Sequence, residues 1–352
     1  MFVALRDLRA ARGRFLLIGL VVTLVALLVS FLSGLTAGLA HQNISAIDSL
    51  RADAVVFADT GAKPSFDASA LTAQQVDIWR RAAGPNGTVD PIGIGHGQVA
   101  LAGRAPTQVA LFGAAGTAFG NRIATQPGTV VLSSGAAKAL PAKAGDSITV
   151  DGRDFRIDAV GGDDWYSHTP VVWMTPADWQ AVSPRGGAAT VLAVSGVPDM
   201  AAVDAAAHTT STSVPGSLSA LSAYQAENGS LTVMTVLLFA ISALVIGAFF
   251  TVWTVQRQPD IATLKALGAT TGSLVRDALA QAAIVLAAGV GIGLGITVAA
   301  AGFMGDALPF VLSPATTVLP AAALIVLGLL GAAFALRFLF TTDPLIALGA
   351  AR

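Results

Sequence analysis

The sequence predicts a membrane α-helical protein with four transmembrane helices in a 1+3 layout, and an α+β extracytoplasmic domain inserted between helices 1 and 2. Three observations lead there. Only 12% of the 352 residues are charged and 54% are hydrophobic, with a mean hydropathy of +0.70; a soluble domain carries about 25% charged residues. Four charge-free stretches reach the roughly 20 residues that a spanning helix needs: Phe15 to Ala40, Asn228 to Gln256, Ala278 to Gly305, and Ala307 to Leu336. Between the first and second lie about 185 residues of ordinary soluble composition. The expected segments are therefore 1–41, 42–226 and 227–352.

The first stretch has the outline of a signal peptide, with basic residues ahead of it and a Leu39-Ala40 end like a cleavage site. Its 26 residues exceed the 7–15 of a signal core, so it reads as an uncleaved anchor. Orientation follows from Lys and Arg near the span ends. Arg6, Arg9, Arg12 and Arg14 precede span 1, Arg257, Lys265 and Arg276 separate spans 2 and 3, and Arg337 and Arg352 follow span 4. The turn between spans 3 and 4 has neither Lys nor Arg. Both termini and the 2–3 loop are expected in the cytoplasm, and the large domain outside.

Residues 42–226 read as α+β. Ser147 to Ile157 is a hairpin: Ile148 and Val150 alternate before an Asp151-Gly152 turn, Phe155 and Ile157 after it. Short strands are expected at 54–57, 98–101, 108–112, 129–132, 171–174 and 191–194, and helices at 70–83 and 198–207. Their order is too irregular for a doubly wound sheet.

Little here resembles catalytic chemistry. A net charge of −1 gives no basic face for nucleic acid. The chain has no cysteine, and its four histidines, 41, 96, 168 and 208, show no metal-ligand spacing. Asp163, Asp164, Trp165, Tyr166 and His168 share one loop, which reads either as a ligand-contacting loop or as a surface loop with packed aromatics. No phosphate-binding Gly-rich loop exists and the dipeptide Gly-Lys never occurs, so any ATP must be hydrolysed by another polypeptide. The chain itself reads as no enzyme, with no cofactor of its own.

The most informative segment is Val255 to Thr270. Pro259 suits a first helical turn and Gly268 a C-terminal stop; Ile261, Leu264 and Leu267 make one apolar stripe. The stripe fits either lipid or a cytoplasmic partner. The segment resembles the "R-x-x-E-I-A-x-L-K-A-L-G-A" loop of MacB/FtsX-type ABC transporter permeases. Arg257, Ile261, Ala262, Leu264, Lys265, Ala266, Leu267, Gly268 and Ala269 match, with Asp260 where Glu is usual. The resemblance extends to Thr342-Asp-Pro-Leu-Ile-Ala-Leu348 at the C-terminus. It implies a multi-pass bacterial cell-membrane protein, a homodimer, and a separate ATPase contacted by the 256–276 loop through Arg257, Ile261, Leu264, Lys265, Leu267 and Gly268.

Within that family the N-terminal half is most similar to the heme-efflux permeases of HrtB type, through Arg14 to Ile18, Phe31 to Leu39 and Asn43 to Asp48. Heme as transported substrate is what this implies. Other members handle lipoproteins, macrolides or peptides, and division-type members regulate an extracytoplasmic hydrolase without transport. A heme site needs apolar walls and an iron ligand. Tyr224, Glu227, Leu231 and Met234 fall on one helix face at the start of span 2, and Glu227 is the only glutamate in the chain. The expected ligands to iron are Glu227, Tyr224 or Met234, with Phe31 and Leu35 as walls and Tyr166 and His168 as further contacts. Gly34/Gly38 in span 1 and Gly291/Gly295 in span 3 have the spacing that lets membrane helices approach closely.

Overall fold

The computed structural model describes residues 12–120, 122–182, 187–305 and 308–336. Arg6, Arg9, Arg337, Arg352 and the Thr342–Leu348 segment lie outside them. The chain forms two compact units: Leu39–Gly229, and a membrane unit made of the segments up to Gly38 and from Ser230.

Among the described residues, four helices are long and apolar enough to cross a membrane: α1 (Arg12–Asp48), α7 (Ser222–Gln256), α9 (Thr271–Met304) and α10 (Pro314–Ala335). Two overrun the predicted spans on the side of the 39–229 unit. Helix α1 continues past Ala40 because Ala46 and Ile47 still have a core to enter, although His41, Gln42 and Asn43 end the hydropathy signal. Helix α7 starts at Ser222, where Tyr224 packs against the same core.

The 39–229 unit is built on a ten-stranded sheet of β1 (Ala54–Ala58), β2 (Thr88–Leu101), β3 (Thr107–Ala114), β4 (Thr129–Leu132), β5 (Ser147–Val150), β6 (Arg153–Val160), β7 (Trp165–Tyr166), β8 (Thr169–Met174), β9 (Val191–Ser195) and β10 (Thr209–Ser213). The order is β10-β1-β9-β2-β3-β8-β4-β6-β5, with β7 paired to β8. Because β5 also pairs with the end of β2, six of the strands close into a ring. Short helices cover the sheet: α2 (Ala73–Ala83), α3 (Ser134–Ala139), α4 (Pro176–Val182), α5 (Met200–Ala207) and α6 (Val214–Ser217). Helix α2 starts at a Thr72–Gln75 capping box and stops at Gly84.

Two strands exceed or escape the sequence reading. Strand β2 runs through Pro91, Gly93, Gly95 and Gly97, residues that normally mark turns. Packing overrides that preference: the Trp179 indole fills the space where side chains at Gly93 and Gly113 would stand. Strand β10 is all Ser and Thr, so it carries no apolar alternation, yet it pairs with β1 along its full length.

In the membrane unit α1, α7, α9 and α10 share one apolar core, including Val22, Ala26, Ile246, Phe250, Leu286 and Leu324. Close approach of α9 to α1 uses Gly289 and Gly293, not the Gly291/Gly295 pair read from spacing, which face open space. An added Cβ at Gly293 would stand 2.7 Å from the Thr23 carbonyl oxygen and 2.9 Å from Ala26 Cβ. Gly293→Ala should therefore destabilise the membrane unit by about 1–3 kcal/mol through overpacking. Gly291→Ala and Gly295→Ala should be neutral or slightly stabilising, since Ala is the better helix former by about 1 kcal/mol. Thermal unfolding of the three variants checks this, and equal midpoints would refute the assignment of contact face.

Candidate functional site

The site lies where the β7–β8 hairpin meets two helices of the 39–229 unit. Tyr166 pairs with Thr169, so Ser167 and His168 form a two-residue turn. Their φ angles are 47° and 61°, the left-handed pair of a type I′ turn. Residues other than Gly at such angles cost on the order of 1–3 kcal/mol each. Here α1 offsets part of that strain. The Ser167 N–H donates to the Asn43 carbonyl and the His168 N–H to the Gln42 carbonyl, both at 3.0 Å.

The turn thrusts the His168 ring at α7. His168 Nε2 lies 2.9 Å from Glu227 Oε1 and 3.0 Å from Oε2. Asn43 Nδ2 donates to Glu227 Oε2 at 3.1 Å. Asn43 is buried, whereas His168 and Glu227 keep 33% and 41% of their side chains exposed, enough for a ligand to reach them. An imidazole and a carboxylate, 59 residues apart in sequence, thus face each other across one hydrogen bond.

The adjoining loop is braced on its other side. His41 Nε2 lies 3.1 Å from Asp163 Oδ2, and Ser134 Oγ and Trp165 Nε1 donate to Asp163 Oδ1 at 3.0 and 2.9 Å. Partial burial raises the Asp163 carboxyl, but those hydrogen bonds and the His41 charge outweigh it and leave the group below its ordinary value. Asp164 is buried and paired with Arg122. Burial outweighs that cation and pushes the Asp164 carboxyl up.

The structure separates the residues expected at the site. Glu227 and His168 meet. Tyr166 does not join them: it is 2% exposed, with its ring edge-on to Phe66 and Phe112, so it is a core residue. Tyr224 is half-buried against the core of its unit. Leu231 and Met234, further along α7, belong to the membrane unit, where Met234 is exposed. Phe31 and Leu35 are half-buried on α1. Asn43 and His41 escaped the sequence reading as site partners. Their polarity at the end of an apolar run was the available signal.

In the membrane unit, Gln258–Ala266 forms the short helix α8, with Pro259 in its first turn and Gly268 at φ 95° beyond its end. Leu264 and Leu267 are exposed, Leu267 at 79%; Ile261 and Lys265 are half-buried. Arg257 differs from expectation. Its guanidinium lies 5.1 Å from the centre of the Trp253 ring and donates to the buried Gln281 at 2.6 Å, so it braces α8 from within. A cavity of about 420 Å³ opens beside Leu264, lined also by Ala269, Ser273, Leu274, Arg276 and Asp277.

Comparison with known proteins matches both parts of this architecture. The MacB-like periplasmic core domain matches residues 15–210, more than half of the chain, and the FtsX-like permease C-terminal matches residues 232–344. The chain is 25% identical over 364 residues to the putative hemin transport system permease protein HrtB of Staphylococcus haemolyticus, with 99% of each covered. It is 27% identical over 365 residues to an uncharacterized ABC transporter permease of Mycobacterium tuberculosis, again with 99% of each covered. The periplasmic region of MacB from Actinobacillus actinomycetemcomitans aligns with 49% of this chain and 94% of its own, at 14% identity and a TM-score of 0.37. The chain belongs to the MacB/FtsX family of ABC transporter permeases: it is a multi-pass bacterial membrane subunit, not itself an enzyme, and its ATPase partner is a separate polypeptide.

Proposed function

We propose that this permease exports heme, taking it from the membrane or cytoplasm and releasing it outside at the expense of ATP hydrolysed by the partner. The observation that carries the reading is the exposed His168–Glu227 pair. Among the described residues no group of three or more His, Cys, Asp or Glu could hold a metal ion. Two ligands are too few for a bare ion, but heme brings four nitrogens of its own and asks the protein only for axial ones. Glu227 is the proposed iron ligand, with His168 hydrogen-bonded to its carboxylate, and Tyr224 and Met234 on the same helix as the alternatives. The full-length similarity to proteins named for hemin transport supports the same substrate.

The working unit in this reading is a homodimer in lipid, with two ATPases. Both termini and α8 are cytoplasmic, and the 39–229 unit is outside, as the distribution of Lys and Arg directs. Heme added to the purified permease–ATPase complex should give an absorption band distinct from that of free heme and should stimulate ATP hydrolysis. A heme-independent ATPase with an unshifted spectrum would refute heme as substrate and favour another amphiphile or a division-type regulator.

A further inference from the structure

The end of α1 that leads into the 39–229 unit carries a contact made by a loop, within the membrane unit. Gly34 and Gly38 lie about one turn apart, and the loop before α10 sits in the groove they leave. A Cβ at Gly34 would fall on the Phe310 ring, and one at Gly38 on the Pro309 carbonyl. The Val311 N–H donates to the Gly34 carbonyl at 3.2 Å. The loop is stiff at its far end, where Ser313 and Thr316 form a capping box and Thr316 Oγ1 donates to the Val311 carbonyl at 2.8 Å. Spacing alone suggested that these glycines serve a second helix; the chain's own loop takes the place instead.

Phe310 thereby meets Phe31, with ring centres 5.5 Å apart and planes at 44°. Both rings are half-buried, as is Leu35 one turn on. Gly is the poorest helix former after Pro, so two of them at this spacing are a local conflict that the seated loop explains. The result is a fixed aromatic surface in an apolar setting. Lipid tails pack anywhere on such a face but gain nothing from ring geometry, whereas a planar aromatic molecule gains offset stacking.

On the heme reading, we propose that Phe310 is a specificity-determining residue: with Phe31 it forms a surface of the membrane unit that contacts the porphyrin ring, independently of iron ligation. Iron-free protoporphyrin separates this from the ligand role of Glu227. The full chain with its ATPase partner, in lipid nanodiscs, is titrated with heme and with iron-free protoporphyrin. Phe310→Leu keeps an apolar filler over Gly34, so the loop stays seated. It should weaken both porphyrins about three- to tenfold, the size of one aromatic contact, without shifting the heme ligation band. Gly34→Ala leaves Phe310 intact but unseats it, and should do the same. Glu227→Gln should weaken heme alone.

Wild-type affinity for iron-free protoporphyrin in both Phe310→Leu and Gly34→Ala, with heme still lost in Glu227→Gln, would overturn the proposal and leave the heme reading standing. Failure of the wild type to bind either porphyrin would overturn both.

Discussion

Leu264→Asp and Leu267→Asp should each abolish co-purification of the permease with its ATPase, or uncouple hydrolysis from export. Leu264 lies on α8 and Leu267 at its C-cap, and Leu267 is 79% exposed in the isolated chain, so a charge there is solvated and folding is little affected. Surface changes of that kind usually stay within about 0.5 kcal/mol. At a docked interface the same charge is buried without a partner, which costs several kcal/mol, about 3–5 when the group is fully enclosed. Each 1.4 kcal/mol is tenfold in affinity, so association should fall by about two to three orders of magnitude. Binding of heme should persist in both variants. The cavity beside Leu264 is lined by both polar and apolar residues, Ser273, Leu274, Arg276 and Asp277 among them. Association with the ATPase also fixes the side of the membrane, because only a cytoplasmic α8 can reach it. Normal association and export in both variants would mean that α8 only rests on lipid.

What was legible in the sequence follows from the range of each interaction. Spans 1 to 4 were visible because hydropathy is a local sum, and the Asp151-Gly152 turn because a type I′ turn writes its residues into two adjacent positions. The α8 segment combined a first-turn Pro, an apolar stripe and a Gly stop within 11 residues. The α+β class also followed from short alternating runs. The ring closure of β2 onto β5 did not, since it pairs Val99–Leu101 with Ile148–Val150, far along the chain. Glu227 stood out as the single glutamate, but nothing near it in sequence named His168 or Asn43. The opposite failure is Tyr166, two residues from His168. Alternation along the hairpin turns its ring into the core while the turn aims His168 outward. Gly34 and Gly38 mark a close approach, but their spacing specifies a groove and not its occupant, which within this chain is the loop before α10.

The second large effect is expected at Glu227. Glu227→Gln preserves size and can still accept from His168 Nε2 and Asn43 Nδ2, but it removes the anionic oxygen that would bind iron. Heme affinity should fall at least tenfold and the absorption spectrum should shift, with thermal stability nearly unchanged. Glu227→Ala should lose heme equally and stability as well, because it strips the partner from the buried Asn43 amide; an unsatisfied buried group costs about 1–3 kcal/mol. His168 sits at φ 61°, a conformation that Asn tolerates well. His168→Asn therefore keeps the turn while withdrawing the imidazole, and should shift the spectrum if that ring faces the iron. Tyr224→Phe deletes only a phenol oxygen, and Met234→Leu nearly conserves volume, so a spectral change in either assigns ligation to that atom and not to packing. Basal ATPase activity should survive throughout the series, since none of these residues lies on α8. If all five variants bind and export heme like the wild type, the His168–Glu227 pair is a structural tie between the hairpin and α7, and iron is held elsewhere.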